Sequence, residues 1–329
     1  MKVVITGGGG YLGEKLCKAL IQRGSLVDRL GRAAHVRSIV LVGRSFSEEH
    51  GEPQVVDGIT IEKSRGSVAD RAYLDNVIKG DDVTVFHLAA VLTGVTERDL
   101  KSAIDINVNG TRNVLDALAA CGEGSRIVMT SSVTVFGRQI NDEPISDRSA
   151  IQPGTVYGHT KAIGELLLSA YTRAGKVDGR CGRLATVVVR PHKIGSSAGA
   201  SISDALRDIT LGRSCDVVLK PSTRAAVIGY DRCIEGLMLL QTLNKDKFGG
   251  DATVNFPALT VSIEEMIEAA SASARRHGRS PGAIRYVPDN FAQSVIDGWA
   301  TTIDGTRARG LGINCETNLA EICDRVGTS

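Results

Sequence analysis

The chain has 329 residues and a formal net charge of +2, enough length to bury a large core and too little charge to require a nucleic-acid backbone or an anionic membrane as partner. No apolar stretch is long enough to span a bilayer, and the first apolar run ends in glycines rather than continuing into the hydrophobic region of a signal peptide. Its seven cysteines are scattered, odd in number and without a C-x-x-C pair, which reads as reduced thiols of a cytoplasmic protein and provides no metal site.

The first predicted element is the β-branched run Lys2-Val3-Val4-Ile5, suited to a buried parallel strand. Five glycines follow within seven positions, Gly7 to Gly10 and Gly13, and then Leu12, Leu16, Ala19 and Leu20 recur at helical spacing. Strand, glycine turn and helix form a phosphate-binding arrangement. The spacing Thr6-Gly7-x-x-Gly10-x-x-Gly13 assigns Gly7 to the tight turn, Gly10 to backbone approach on a pyrophosphate and Gly13 to close packing of helix on strand.

Further strands are predicted at Ser38–Val42, Ile59–Lys63, Val83–Leu88 and Arg126–Thr130, with helical patterns between them. Nearly all-apolar strands alternating with helices indicate an α/β, Rossmann-type doubly wound parallel sheet. Long helices are expected at about Leu100–Cys121 and Val156–Ala174, and later ones near Asp231–Leu243 and Ile263–His277. The expected division is a dinucleotide-binding core over 1–182 and a mainly substrate-binding region over 183–329, some of whose segments return to the core.

Two stretches carry chemistry. Met129-Thr130-Ser131-Ser132-Val133-Thr134-Val135-Phe136-Gly137 places hydroxyls at the end of a buried strand, where a parallel sheet presents ligand-contacting groups. Tyr157 and Lys161 stand at i and i+4 on one helix face, close enough for the ammonium to stabilise a phenolate and make the tyrosine a usable acid/base. His159 between them reads as a solvated or capping histidine. After the second strand, Gly43 stands where an acid would bind a ribose 2′-hydroxyl, and Arg44 and Ser45 can donate to a 2′-phosphate. The plainer account of Arg44 is a solvated loop cation.

Thr6–Gly13, His87-Leu88-Ala89-Ala90, Asn107-Val108-Asn109-Gly110-Thr111, Ser131–Gly137, Tyr157–Lys161 and Arg224 together resemble the extended short-chain dehydrogenase/reductase family, over essentially the whole chain. Within it, the segments from Tyr157, from Asp178 and around Gly298-Trp299 look most like D-erythronate dehydrogenases. The resemblance implies Tyr157 as general acid/base, Lys161 as the group that lowers its pKa and holds the nicotinamide ribose, and Ser132 as the donor to the reacting carbonyl, with Ser131 a structural hydroxyl. It implies cofactor contacts at Gly7, Gly10, Tyr11, Leu12, Gly13, Arg44, Ser45, Ser67, Val68, Leu88, Ala89, Ala90, Asn107, Leu184, Ala185 and Thr186, besides Tyr157 and Lys161. It further implies substrate contacts at Thr93, Ser132, Tyr157, His192 and Arg224.

Departures from the family pattern shape the expected chemistry. Gly43 in place of an acid favours NADP(H), with NAD(H) the alternative. Ser67 replaces a common adenine-contacting aspartate, and Ala185 a common proline. Ala225-Ala226-Val227 after Arg224 read as a smaller, greasier substrate wall, which argues for a bulkier, less polar substrate; local packing is the other reading. The expected activity is interconversion of a secondary alcohol and a ketone, with two alternatives: a sugar-nucleotide epimerase holding NAD tightly, or an NAD-dependent dehydrogenase of D-erythronate type. The resemblance further implies a homodimer through the helices near 100–121 and 156–174. No nucleic acid, membrane or metal is expected.

Overall fold

The computed structural model describes residues 1–46, 52–138, 143–188 and 198–327. Its main sheet has eight strands, in the order Thr253–Asn255, Asp178–Leu184, Arg126–Ser132, Val83–His87, Lys2–Thr6, Ser38–Gly43, Ile59–Arg65 and Gln54–Val56. All neighbours pair in parallel except Gln54–Val56, which runs antiparallel at the edge. The central strands are apolar on both faces because helices cover both. On one face Leu16, Leu20, Cys233 and Leu237 pack beneath Val3, Ile5 and Ile39. On the other, Leu74, Val114, Leu115, Leu118 and Leu168 pack against Val4, Val40 and Val85.

The chain builds outward from Lys2–Thr6 on one side, then returns to lay Val83–His87 against its other side. The strand order therefore reverses between these two strands, and the carboxyl ends of a parallel sheet at such a reversal open a crevice for a ligand.

The expected division at residue 182 falls inside the Asp178–Leu184 strand, and Thr253–Asn255 joins the same sheet beside it. Later residues also form a three-stranded sheet, Thr186–Val188, Arg224–Gly229 and Leu259–Ser262, around a smaller core that includes Leu206, Val227, Ile263 and Ile322. Gln241 ties the end of the Tyr230–Thr242 helix to the N-terminal part of the chain, where it accepts from the amide of Val27 and donates to its carbonyl.

The expected helix from Leu100 to Cys121 is present with a difference. Between Leu100–Ala103 and Gly110–Ala119 lies a π-helical turn, Ile104–Asn109. Periodicity cannot reveal such a turn, because one wide turn leaves the apolar pattern on either side intact. No helix among the described residues is long and apolar enough to cross a membrane.

Candidate active site

The glycine turn is shaped by close approach. Gly7 has φ +74°, and a Cβ there would lie 2.9 Å from the Ala89 nitrogen. A Cβ on Gly13 would lie 2.5 Å from the Gly7 carbonyl oxygen. Both positions exclude a side chain, so the Tyr11–Arg23 helix starts hard against the strand that precedes it. Gly10 is the N-cap and supplies no side-chain cap, which leaves the first helical amides for an anion. This cradle fits a dinucleotide pyrophosphate. Tyr11, on the first turn, stacks edge-on against Tyr230 at 5.3 Å.

Beside the turn, a cleft opens at the carboxyl ends of the strands, with about 840 Å³ of space that is partly open to solvent. Leu12, Leu88, Ala90, Thr93, Ser132, Tyr157, Lys161, Leu184, Ala185 and Thr186 all line it. Residues separated by up to 174 positions thus meet in one place. A space of this size suits a nicotinamide ring with a small substrate.

Tyr157 lies in the first turn of the Val156–Arg173 helix, which Thr155 caps through its hydroxyl to the Gly158 amide at 3.1 Å. One turn on, the Lys161 ammonium stands 5.9 Å from the centre of the Tyr157 ring. Lys161 is buried, and desolvation brings its pKa down to about 8. Ser132 ends its strand and caps the next turn by accepting from the Thr134 amide at 3.2 Å.

A buried hydrogen-bond chain braces these groups. His87, fully enclosed, bonds Thr6 Oγ1 at 2.7 Å and Thr111 Oγ1 at 2.9 Å. Thr111 donates to the Asn107 carbonyl at 2.6 Å, so it accepts from His87 Nε2–H and leaves Nδ1 to accept from Thr6. Burial, then the nearby Lys161 charge, lowers the His87 pKa to about 3, and the ring stays neutral at any physiological pH. Asn107 bonds both backbone groups of Val91 and donates to Thr160 Oγ1. It therefore positions the loop after Val83–His87 against the Tyr157 helix and does not line the cleft.

The remaining expected residues lie elsewhere. Arg44 and Ser45 are exposed just past the Ser38–Gly43 strand, and a Cβ on Gly9 would clash with the Ser45 carbonyl oxygen. The Ser67 hydroxyl accepts from the Ala69 amide, Val68 packs against Gly110, and Ala89 lies behind the glycine turn. His159 is exposed and bonds the Thr155 carbonyl. His192 lies outside the described residues.

Two expectations need correction. Arg224 is exposed at the start of its strand and is absent from the cleft lining. Ala225, Ala226 and Val227 are buried in the two cores, at 4%, 3% and 0% exposure, and form no wall of the cleft. Their strand is covered on both faces, so small apolar side chains there report packing, not substrate size. Conversely, Thr134 and Trp299 line the cleft, although the sequence reading gave neither a site role. Ser131 lines it too, although the family reading set it aside as structural.

A doubly wound sheet with a glycine cradle at its switch point and a Ser–Tyr–Lys cleft beside it defines a dinucleotide-binding α/β protein. The profile of the NAD dependent epimerase/dehydratase family matches residues 3–224, and the chain belongs to that family, the extended short-chain dehydrogenase/reductases. It is 32% identical to D-erythronate dehydrogenase of Cupriavidus necator, over 98% of this chain and 96% of that protein. It is 26% identical to D-erythronate dehydrogenase of Haemophilus influenzae, over 98% and 97%. Among solved structures, a nucleoside-diphosphate-sugar epimerase from Agrobacterium tumefaciens superposes with a TM-score of 0.85 at 29% identity, covering 98% of this chain and 92% of that one.

Proposed function

We propose that this protein is a nicotinamide-dependent oxidoreductase that interconverts a secondary alcohol and a ketone, acting on a small hydroxy acid of the D-erythronate type. The observation that carries this is the convergence of Ser132, Tyr157 and Lys161 with the Leu184–Thr186 wall in one cleft beside the glycine cradle. The buried Ala225–Val227 strand removes the argument for a bulky, greasy substrate. Two relatives that cover 98% of the chain are D-erythronate dehydrogenases.

Bound nicotinamide would supply the hydride acceptor for alcohol oxidation and the hydride donor for ketone reduction. Ser132 holds the reacting oxygen. Tyr157 takes the hydroxyl proton during oxidation and returns it during reduction. Lys161 favours the phenolate through its charge. Leu184, Ala185 and Thr186 close the side of the nicotinamide pocket. Residues up to about 182, with the Leu184–Thr186 wall, do the cofactor work, and later residues mainly shape the substrate end.

Gly43, Arg44 and Ser45 support NADP(H) over NAD(H). The seven free thiols support a cytoplasmic location. Leu100, Ile104, Ile163 and Leu166 form exposed apolar positions on the two helical segments, which supports a homodimer built on them. Leu115 and Leu118 face the sheet instead, both fully buried. A monomer by light scattering at micromolar concentration would remove the dimer.

The activity is tested by incubating the protein with D-erythronate and either NADP⁺ or NAD⁺ and following reduced nicotinamide by absorbance. Steady production with one cofactor is expected. Interconversion of a sugar nucleotide without net cofactor reduction would replace this reading by an epimerase.

A further inference from the structure

Around the cleft, three buried side-chain atoms lack a hydrogen-bond partner among the described residues: Ser131 Oγ, Thr134 Oγ1 and Trp299 Nε1. A buried donor left unmade costs about 1–3 kcal/mol, and native structures keep few of them. Finding three in the wall of one cleft points to a partner that arrives with the ligand.

Two of the three sit on backbone that is held in place. The far edge of the Trp299 six-membered ring rests on Gly199, where a Cβ would lie 3.5 Å from Cη2 and 3.7 Å from Cζ3. The Trp299 amide donates to the Ile296 carbonyl at 2.9 Å. Thr134 lies two residues past Ser132 and gives it its amide hydrogen bond. The Thr134 carbonyl is crowded against Gly158, where a Cβ would sit 2.5 Å from its oxygen. Thr134 is thereby fixed to both the Ser132 turn and the Tyr157 helix.

The partners' chemistry follows from the donor inventory. An indole N–H only donates, so its partner is an acceptor oxygen, while a threonine hydroxyl both donates and accepts. A ligand hydroxyl has the complementary chemistry for either group. We propose that Trp299 and Thr134 form a sub-pocket that reads a hydroxyl of the substrate beyond the reacting carbon, the indole N–H donating to its oxygen and Thr134 Oγ1 accepting its proton. Trp299 is then a specificity-determining residue for polyhydroxylated substrates, a role that rests on the dehydrogenase reading above. A site built to hydrogen-bond a hydroxyl rejects the analogue that lacks it far more strongly than an apolar pocket rejects a missing methylene.

Trp299 is the sole tryptophan of the chain, so its emission reports this wall directly. The full-length protein, saturated with NADP⁺ or with whichever cofactor it prefers, is titrated with D-erythronate and with 2-hydroxybutanoate, which lacks the further hydroxyls. D-erythronate should shift the emission saturably, and 2-hydroxybutanoate should not. In kinetics, Trp299→Phe and Thr134→Val should each lower kcat/KM for D-erythronate by about 10–100-fold, mainly through KM. Turnover of 2-hydroxybutanoate should stay within about twofold, with cofactor affinity unchanged. Equal losses on both substrates, or none on either, would overturn the sub-pocket. If the unmodified protein oxidises no hydroxy acid, the dehydrogenase reading falls separately. An emission shift with D-erythronate or erythritol then keeps the sub-pocket, and silence with both removes it.

Discussion

Asn107 and Thr160 are 53 positions apart, yet the Asn107 amide donates to Thr160 Oγ1 at 3.0 Å while Thr160 donates to the Tyr157 carbonyl at 2.8 Å. The same Asn107 side chain holds Val91 through both of its backbone groups. One buried amide thus fixes the distance between the Leu88–Ala90 wall and the helix that carries Tyr157.

Asn107→Ala would strand the buried Val91 amide and carbonyl. The expected cost is about 2 kcal/mol of stability, read by urea denaturation. Turnover should fall several-fold as the Tyr157 helix loses its brace. A variant as stable and as active as the parent would show that the loop is held by other contacts.

Tyr157→Phe removes one hydroxyl from a half-buried ring and should fold normally and bind cofactor as before. Its turnover should fall by about two orders of magnitude or more, the range of a lost general acid/base. Activity near that of the parent would remove Tyr157 from proton transfer.

Lys161 links the site to pH. Its folded pKa of about 8 lies below the ordinary 10.5 because the buried ammonium is desolvated. Between these values the unfolded chain binds more protons than the folded one, so stability rises with pH through that window. Below pH 8 both states are protonated and the desolvation penalty is fully present. Lys161→Met should therefore exceed the parent in stability below pH 8, and the difference should shrink as pH approaches 10.5. Parallel stability–pH curves would contradict a depressed pKa. The same variant should bind cofactor more weakly and turn over slowly.

Arg44→Ala deletes an exposed cation with no structural duty in the core. The KM for NADPH should rise about tenfold, the value of one charge-assisted phosphate contact, with KM for NADH unchanged. Gly43→Asp is a less clean test, since a Cβ there would lie 3.1 Å from the Gly9 nitrogen and 3.3 Å from the Phe46 ring. Equal use of both cofactors by the parent would dismiss the phosphate reading.

Local patterns carried most of the cofactor side. Gly7 and Gly13 are legible because the crowding that demands them lies within a strand, a turn and a helix contiguous in sequence. Tyr157 and Lys161 are legible because four positions on a helix make neighbours. Ala225–Val227 misled because a strand covered on both faces looks, in sequence, like any greasy wall, while Arg224 stands exposed at that strand's start. The Gly298-Trp299 segment stood out by resemblance, but nothing local told the role of Trp299. It reaches the cleft from a segment 138 positions beyond Lys161, placed by tertiary packing of the late helices.

The arginines under the sheet bear on how the protein is made. Arg180, with no exposed surface, donates to the carbonyls of Leu240 and Gln241, and Arg126 donates to that of Gln241. During synthesis these guanidinium groups leave the ribosome some sixty to one hundred and fifteen residues ahead of their acceptors. Until the Tyr230–Thr242 helix is translated, closing that end of the sheet would bury cations with too few acceptors. The nucleotide-binding sheet thus gains its last arginine acceptors only with the Tyr230–Thr242 helix and its last strand only with Thr253–Asn255.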